Sequence, residues 1–242
     1  MDSIILAGGF AKRMWPLTKD TPKQLLDVGG KPMLQHVIES LERIGPSRII
    51  LSVNSFFASQ FQKFVEDYSG SMNLQLYVES SSKEEEKLGA LGALNLLFKD
   101  LELSGPVFIA GGDNLSDFNL SQMMTVAENT GKDVIGLYDV EDEELAKLYG
   151  IAHQEGDRII DFVEKPSNPP STLAATAYWL LSIEGISSFL EYIDSGGDRD
   201  ALGNFLAWNV KKNDVRSVAF RGTWYDIGDL ESYREAQVWL SN

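Results

Sequence analysis

The sequence predicts an α/β fold, a mixed and mostly parallel sheet with helices on both faces, and three observations predict it. Short apolar runs alternate with amphipathic helical segments through the first half of the chain. The first run, Ile4 to Ala7, ends in the paired glycines Gly8 and Gly9. A later run, Val107 to Ala110, ends the same way, in Gly111-Gly112-Asp113. In open sheets of this class, ligands collect where strands end.

Taken in order, the strand at Ile4–Ala7 leads into a long loop reaching Pro32. Pro16, Pro22 and Pro32 each fix φ there, so the loop reads as stiff and ordered rather than as a mere connector. Met33, Leu34, Val37, Ile38, Leu41 and Ile44 recur at helical spacing, and Gly45-Pro46 stops that helix. Arg48 to Val53 reads as a buried strand. Phe57, Phe61, Phe64 or Val65, and Tyr68 mark a second helix, and Leu74, Leu76 and Val78 alternate as in a strand. A third helix over Leu88–Phe98 precedes the strand at Val107–Ala110. The second half is richer in strands. Leu148–His153 and Arg158–Val163 flank a hairpin turn at Gln154–Asp157, and Thr176–Leu181 and Val215–Phe220 are further apolar runs. Asp200 and Asp229 are expected to cap helices over 201–212 and 230–241. With no Pro/Gly/Ser linker and no hexapeptide repeat after the last helix, residues 1–242 read as a single domain without a β-helix extension.

The net charge of -15 argues against a nucleic-acid backbone as partner, because such binding needs clustered cations. The acids fall in local runs, Glu84-Glu85-Glu86 and Glu141-Asp142-Glu143-Glu144, which read as solvated surface. Phe10 to Pro32 instead holds five cations and two acids, so the field along that loop is expected to be positive. With no cysteine there is no disulfide or thiolate metal site, and only two histidines remain as imidazole ligands. His36, on the apolar face of its helix, and His153, at a strand end, both read as structural. No apolar run is long enough to span a bilayer and the N-terminus lacks a signal-peptide pattern, so a cytoplasmic protein without membrane contact is expected. Whether copies associate into a homo-oligomer is left open.

Paired glycines let backbone amides approach a phosphate, and Lys12, Arg13 and Lys23 close behind supply neutralising charge. The segment is neither a P-loop, since no Gly-Lys-Ser/Thr follows, nor a dinucleotide fingerprint, since Gly8-Gly9-Phe10-Ala11 breaks that spacing. A lone Gly-Gly is otherwise an ordinary βα turn. Asp113, at a strand end, suits Mg²⁺, which takes one or two carboxylates plus substrate phosphates; alternatively it is a turn aspartate capping the next helix. Asp226, in Thr223-Trp224-Tyr225-Asp226-Ile227-Gly228, offers a second carboxylate from a distant part of the chain.

The stretch from Ile4 to Leu34 resembles the signature of the sugar-1-phosphate nucleotidylyltransferases, the family of glucose-1-phosphate thymidylyltransferase and its relatives. That signature is a strand, a Gly-Gly-x-Gly-x-Arg loop, Pro-Lys-x-Leu-Leu, and then Lys-Pro. Here it reads Gly8-Gly9-Phe10-Ala11-Lys12-Arg13, Pro22-Lys23-Gln24-Leu25-Leu26 and Lys31-Pro32. Ala11 replaces the third glycine, and its methyl would strain any backbone with positive φ. The resemblance implies a Rossmann-like sheet of the nucleotide-diphospho-sugar transferase type. It also implies transfer of a nucleoside monophosphate from a nucleoside triphosphate to a sugar 1-phosphate, with release of pyrophosphate and dependence on Mg²⁺. Arg13 and Lys23 become the catalytic cations. Leu6, Ala7, Gly8, Gly9, Glu79 and Gly89 become nucleotide contacts, and Asp113 and Asp226 the metal ligands. Gly150, Glu164, Lys165 and Thr176 become contacts to the sugar phosphate. Without the resemblance, Glu164-Lys165-Pro166 is simply a charged pair at a strand end.

Ala90 and Ala175-Thr176-Ala177 depart from the family pattern and leave base and sugar open, although Asn114 after Asp113 leans towards a dTTP- or UTP-using glucose-1-phosphate enzyme. Two alternatives stand beside this reading. One is a catalytically silent, nucleotide-sugar-binding regulatory homologue, and the other a cytidylyltransferase for a small alcohol phosphate.

Overall fold

The computed structural model describes residues 1–101, 103 and 105–241. Strand β1 (Asp2–Leu6) is followed by a loop with single 3-10 turns at Lys12–Met14 and Lys23–Leu25. The short strands β2 (Asp27–Val28) and β3 (Lys31–Pro32) then lead to α1 (Met33–Glu42), β4 (Ile49–Asn54), α2 (Ala58–Asp67) and β5 (Leu74–Glu79). Next come α3 (Ala90–Asp100), β6 (Val107–Gly111), β7 (Asn114–Ser116), α4 (Ser121–Thr130) and β8 (Asp133–Asp139). The chain continues through α5 (Glu143–Ala146), β9 (Gly150–Glu155), β10 (Arg158–Glu164), β11 (Leu173–Leu181), α6 (Ile183–Asp194) and α7 (Leu202–Lys212). It closes with β12 (Val215–Phe220), β13 (Trp224–Asp226) and α8 (Leu230–Leu240). No described helix is long and apolar enough to cross a membrane.

Two compact units emerge from this order. The first comprises Met1–Lys87, Ala110–Asp117 and Thr223–Asn242. Its main strands run β5-β4-β1, parallel to one another, with Ser3 to Leu6 in register with Ile49 to Ser52, beside the small antiparallel ladders β2–β3 and β7–β13. All six residues of β4 are buried, as expected of a strand covered on both faces. Of its buried polar side chains, Ser52 donates to Glu79 at the end of β5, and Asn54 to the Gly8 carbonyl just after β1. Helix α1 buries Met33, Leu34, Val37, Ile38 and Leu41 of the predicted periodic set, while Ile44 falls past its end at Glu42 and is only half-buried. Helix α8 is capped as expected: Asp229 accepts from the amides of Glu231 and Ser232 in a capping box.

The second unit comprises Leu88–Ile109 and Phe118–Gly222. Its strands run β11-β8-β12-β10-β9, and β9 also meets β11 through Ala174 and Ile151, so the sheet curls into a partial barrel. Of these pairings only β8–β12 is parallel. The expectation of a mostly parallel sheet therefore applies to the first unit, while the second is mixed and mainly antiparallel. The physical reason is connection length. Gly156, at φ 61°, turns β9 directly back into β10, and a tight turn can join only antiparallel neighbours. Phe118 stacks on Phe220 at 4.5 Å, and Phe189 meets Phe205 edge-on at 5.3 Å, giving this unit an aromatic core.

Asp200 does not cap α7. Ala201 holds the cap position and makes no side-chain bond, while the Asp200 carbonyl accepts from the Ala90 amide at 2.8 Å.

Candidate active site

In the first unit, β1 delivers the chain into the glycine loop through Ala7, whose amide donates to Ser52 O at 2.8 Å. A Cβ on Gly8 would lie 2.6 Å from Glu79 Oε1, so only glycine passes over that carboxylate. Gly9 has open space around it. Asn54 Nδ2 donates to the Gly8 carbonyl at 2.9 Å and pins the turn. Glu79 is 5% exposed and accepts from Ser52 Oγ at 2.9 Å. Burial pushes its carboxyl pKa up, against that hydrogen bond.

Ala11 adopts φ 49° and ψ 43°, the left-handed conformation in which a Cβ is strained. Its carbonyl is held by Thr18 Oγ1 at 2.8 Å and by the Met14 amide at 2.9 Å. Arg13 sits exposed on the turn that follows, with its Nη2 3.3 Å from where a Cβ on Gly228 would lie. Its charge acts on Asp226 and Asp229.

Pro22 sets up the turn that carries Lys23 inward. Lys23 is 8% exposed, and its Nζ donates to Asp113 Oδ2 and to the Ile227 carbonyl, both at 2.6 Å. Asp113 follows β6, and the Gly112 amide donates to Leu6 O at 2.9 Å. A Cβ on Gly112 would press to 3.0 Å against both Leu6 O and Gln24 Cγ. Asp226 is brought to Asp113 by a two-stranded antiparallel ladder, in which β13 places Asp226 opposite Asn114 of β7. Asn114 Nδ2 donates to Asp113 Oδ1 at 3.1 Å and to Asp226 Oδ1 at 3.2 Å, so one amide touches both carboxylates. Its Oδ1 accepts from Trp224 Nε1 at 2.9 Å.

Burial alone would raise both carboxyl pKa values. The Lys23 ammonium, in contact with Asp113, holds that group below the ordinary range despite burial. Asp226 has no such contact. Burial and the Asp113 charge push it up to about 6. Two carboxylates from distant strands, one of them reluctant to ionise without a cation, fit Mg²⁺. Among the described residues no group of three or more His, Asp or Glu is placed to hold a metal ion by itself. His36 lies outside this cluster, its Nε2 2.7 Å from the Val28 carbonyl, and His153 is exposed on β9.

The second unit holds the other predicted residues. Gly150 starts β9, where a Cβ would come within 2.7 Å of Glu164 Oε2 and overlap the Phe162 ring. A Cβ on Gly203, at the start of α7, would overlap Glu164 Oε2 from the other side. Glu164 is thus flanked by two glycines, and burial raises its pKa against the opposing charge of Lys165. Lys165 is exposed, at φ 47°, with its amide donating to Tyr149 O at 3.1 Å. A left-handed lysine costs of order 1–3 kcal/mol and persists where its surroundings enforce it.

Two predicted contacts are placed differently from expectation. Thr176 is 2% exposed, its hydroxyl donates to Gly136 O at 2.9 Å, and its carbonyl accepts from Trp179 Nε1 at 3.0 Å. It stands where the β11–β8 register slips, and that irregularity turns it inward, so its side chain offers nothing to a sugar. Gly89, at φ 73°, is required because a Cβ would lie 2.6 Å from Asp200 Cα. The amides of Ala90 and Gly92 donate to Asp200 O and Arg199 O, so this helix start is engaged by the chain itself.

Sequence reasoning missed Asn114 as a shared donor, Trp224 as its partner and Gly203 as the wall beside Glu164. The first two carried a signal, adjacency to Asp113 and an i, i+2 spacing to Asp226. Gly203 carried none.

The family described as Nucleotidyl transferase matches residues 2–242. Mannose-1-phosphate guanylyltransferase catalytic subunit beta of Xenopus tropicalis is 34% identical over 236 residues, 96% of this chain and 62% of the relative. Mannose-1-phosphate guanylyltransferase 1 of Arabidopsis thaliana is 27% identical over 238 residues, 96% of this chain and 63% of the relative. The chain therefore spans less than two thirds of the length of these curated relatives. A solved Bacillus anthracis structure assigned to glucose-1-phosphate thymidylyltransferase, in complex with sucrose, superposes with TM-score 0.82 at 25% identity, covering 100% of this chain and 96% of that one.

Proposed function

This chain belongs to the Nucleotidyl transferase family, and on that premise we propose that it transfers a nucleoside monophosphate from a nucleoside triphosphate to a sugar 1-phosphate. The observation that carries the reading is the half-buried pair Asp113 and Asp226, touched by one amide and flanked by Lys23. A phosphate oxygen of the sugar phosphate bonds to the α-phosphorus, and the bond from that phosphorus to the bridging oxygen breaks. Pyrophosphate leaves with the electron pair. The attacking oxygen is already an anion, so no general base is needed, and neither histidine lies in the cluster.

The protein's part is positioning and charge cancellation. Asp113 and Asp226 would hold Mg²⁺, which would supply Lewis-acid stabilisation of phosphoryl charge when bound. Lys23 is assigned to the α-phosphate and Arg13 to the triphosphate tail. The amides of Gly8 and Gly9 are the phosphate-facing backbone, with Leu6 and Ala7 leading into them. In the second unit, Lys165 is assigned to the incoming phosphate, with Glu164 and Gly150 at the sugar; Thr176 leaves that set. Gly89 stays in the nucleotide set through its backbone alone. The family match runs through both units, which supports treating them as one nucleotidylyltransferase domain.

For the substrate pair, guanosine triphosphate with mannose 1-phosphate is favoured over dTTP or UTP with glucose 1-phosphate. The two guanylyltransferase relatives support it. Asn114 does not favour thymidine or uridine, because its side chain is committed to the carboxylates and Trp224. Pyrophosphate release should be assayed with GTP, dTTP, UTP, CTP and ATP against mannose 1-phosphate, glucose 1-phosphate and glycerol phosphate, with Mg²⁺. Turnover is expected with a sugar phosphate and highest with GTP. Release with none of the pairs would favour the silent homologue, and release with CTP and glycerol phosphate alone the cytidylyltransferase.

A further inference from the structure

We propose that Trp224 is a positioning residue for the metal site, acting through the side chain of Asn114. The proposal rests on the reading of Asp113 and Asp226 as the metal carboxylates. An asparagine amide has two faces, one that accepts and one that donates, and its orientation is decided by its neighbours. The indole Nε1–H of Trp224 can only donate, so it takes the Asn114 oxygen at 2.9 Å. That contact turns the amino group towards the two carboxylates, where it donates at 3.1 and 3.2 Å. A reversed amide would set its oxygen against two acceptors and its amino group against an indole donor, forfeiting all three bonds. Because Asn114 is 3% exposed and Trp224 9%, water cannot readily substitute for a lost partner.

The β7–β13 register explains why the arrangement is available at all. Asp226 pairs with Asn114, and Trp224 stands two residues earlier on the same strand, so both side chains leave β13 on the same face. Trp224 and Asp226 therefore approach Asn114 together, from one strand. One amino group with two hydrogens then sets how far apart the two carboxylates sit. A donor that orients metal ligands from behind typically matters about 10–100-fold in metal affinity.

The test is the affinity of the purified protein for Mn²⁺, used as a paramagnetic stand-in for Mg²⁺ and read by water-proton relaxation, with and without nucleoside triphosphate. Trp224→Phe keeps an aromatic ring but removes the indole N–H together with the volume of the second ring. It is expected to weaken Mn²⁺ binding by about tenfold while far-UV circular dichroism stays that of the parent. Asn114→Leu, close to isosteric and lacking both amide groups, is expected to weaken it at least as much. The double variant should be no weaker than Asn114→Leu, because Trp224 acts only through Asn114.

An unchanged Mn²⁺ affinity in Trp224→Phe, or an additive loss in the double variant, overturns the proposal. A lowered melting temperature with unchanged affinity does the same, since it marks a purely structural contact. Should Trp224→Phe prove too unstable to measure, unchanged affinity in Asn114→Leu is equally fatal. So is a parent protein that binds no Mn²⁺ under either condition. A parent that binds Mn²⁺ and responds to Trp224→Phe, yet releases pyrophosphate from no substrate pair, sinks the transferase reading and leaves the positioning role standing.

Discussion

Lys23, Asp113, Asn114 and Asp226 are held by partly buried side-chain hydrogen bonds, most of them between distant parts of the chain, whereas Glu164 and Lys165 are held by cleared space and backbone. In the first unit Lys23, Asp113 and Asp226 each have a fixed hydrogen-bond partner before any substrate arrives. In the second, Gly150 and Gly203 leave room around one carboxylate, and a left-handed backbone presents one exposed ammonium. The difference suits the chemistry assigned to each. Stabilising charge that develops in a transition state requires dipoles already in place. Accepting a flexible sugar phosphate requires a cavity and a mobile cation. Both clusters contain a strained non-glycine residue, Ala11 in one and Lys165 in the other, so backbone strain alone does not separate them.

The contrast breaks most visibly at the metal pair. Asp113→Asn with Asp226→Asn is expected to lower Mg²⁺-dependent pyrophosphate release by about 10³ or more, several kcal/mol of lost charge stabilisation. Activity near that of the parent would dispose of the metal assignment. Lys23→Ala comes next, with kcat expected to fall about 10²–10³. Circular dichroism should show the fold retained, and near-normal turnover would remove Lys23 from the mechanism.

Gly203→Ala tests the space-built side without altering charge. The added methyl collides with the mobile end of Glu164, so the side chain must swing while the helix gains an alanine. KM for the sugar phosphate is expected to rise about tenfold, the worth of one lost polar contact, with kcat within about twofold. A fall in kcat at constant KM would show that Glu164 is not a ground-state sugar contact.

The pH response should also divide the clusters. Asp226 has a folded pKa near 6, above its unfolded value, so the folded protein binds a proton more tightly than the unfolded chain. Its contribution to metal-free stability is therefore present at low pH and lost as pH rises through about 6. Asp113 is depressed and works oppositely, its contribution being lost only as pH falls through a much lower value. Mg²⁺ competes with the Asp226 proton, so the metal-induced shift in melting temperature should shrink below pH 6, by about tenfold in affinity per unit. A shift constant from pH 5 to 8 would separate Asp226 from the ion. The smallest effect is expected from Ala11→Gly, a gain of about 1 kcal/mol from relieved left-handed strain, less the greater freedom of glycine when unfolded. Chemical denaturation measures it, and a loss of stability would show the strain to be compensated locally.

Asp229 and Asp200 look alike in sequence, each an aspartate before an apolar periodic segment. Only Asp229 caps, because capping reaches two or three residues along the chain and its amide partners are local. Asp200 is engaged by Ala90, a partner no local pattern announces. Strand β8 escaped notice for a related reason. Gly136 interrupts its apolar run, and it is glycine because a Cβ would meet Thr176 Oγ1 at 2.8 Å. Thr176 opens an apolar run that reads as a strand, and nothing in its neighbours reveals that a register slip turns it inward.

Short-range physics therefore made the alternating elements, the glycine turn after the first strand, the cationic loop and the final capping box readable from the order of residues alone. Distance along the chain hid the rest. Which acid meets Asp113, which way the Asn114 amide points, and what stands beside Glu164 are settled by strands and helices that become neighbours only when the backbone folds. Contacts of that kind leave no period or spacing in the sequence, since their geometry exists only once the ladder of β7 and β13 and the approach of α7 to β10 have formed.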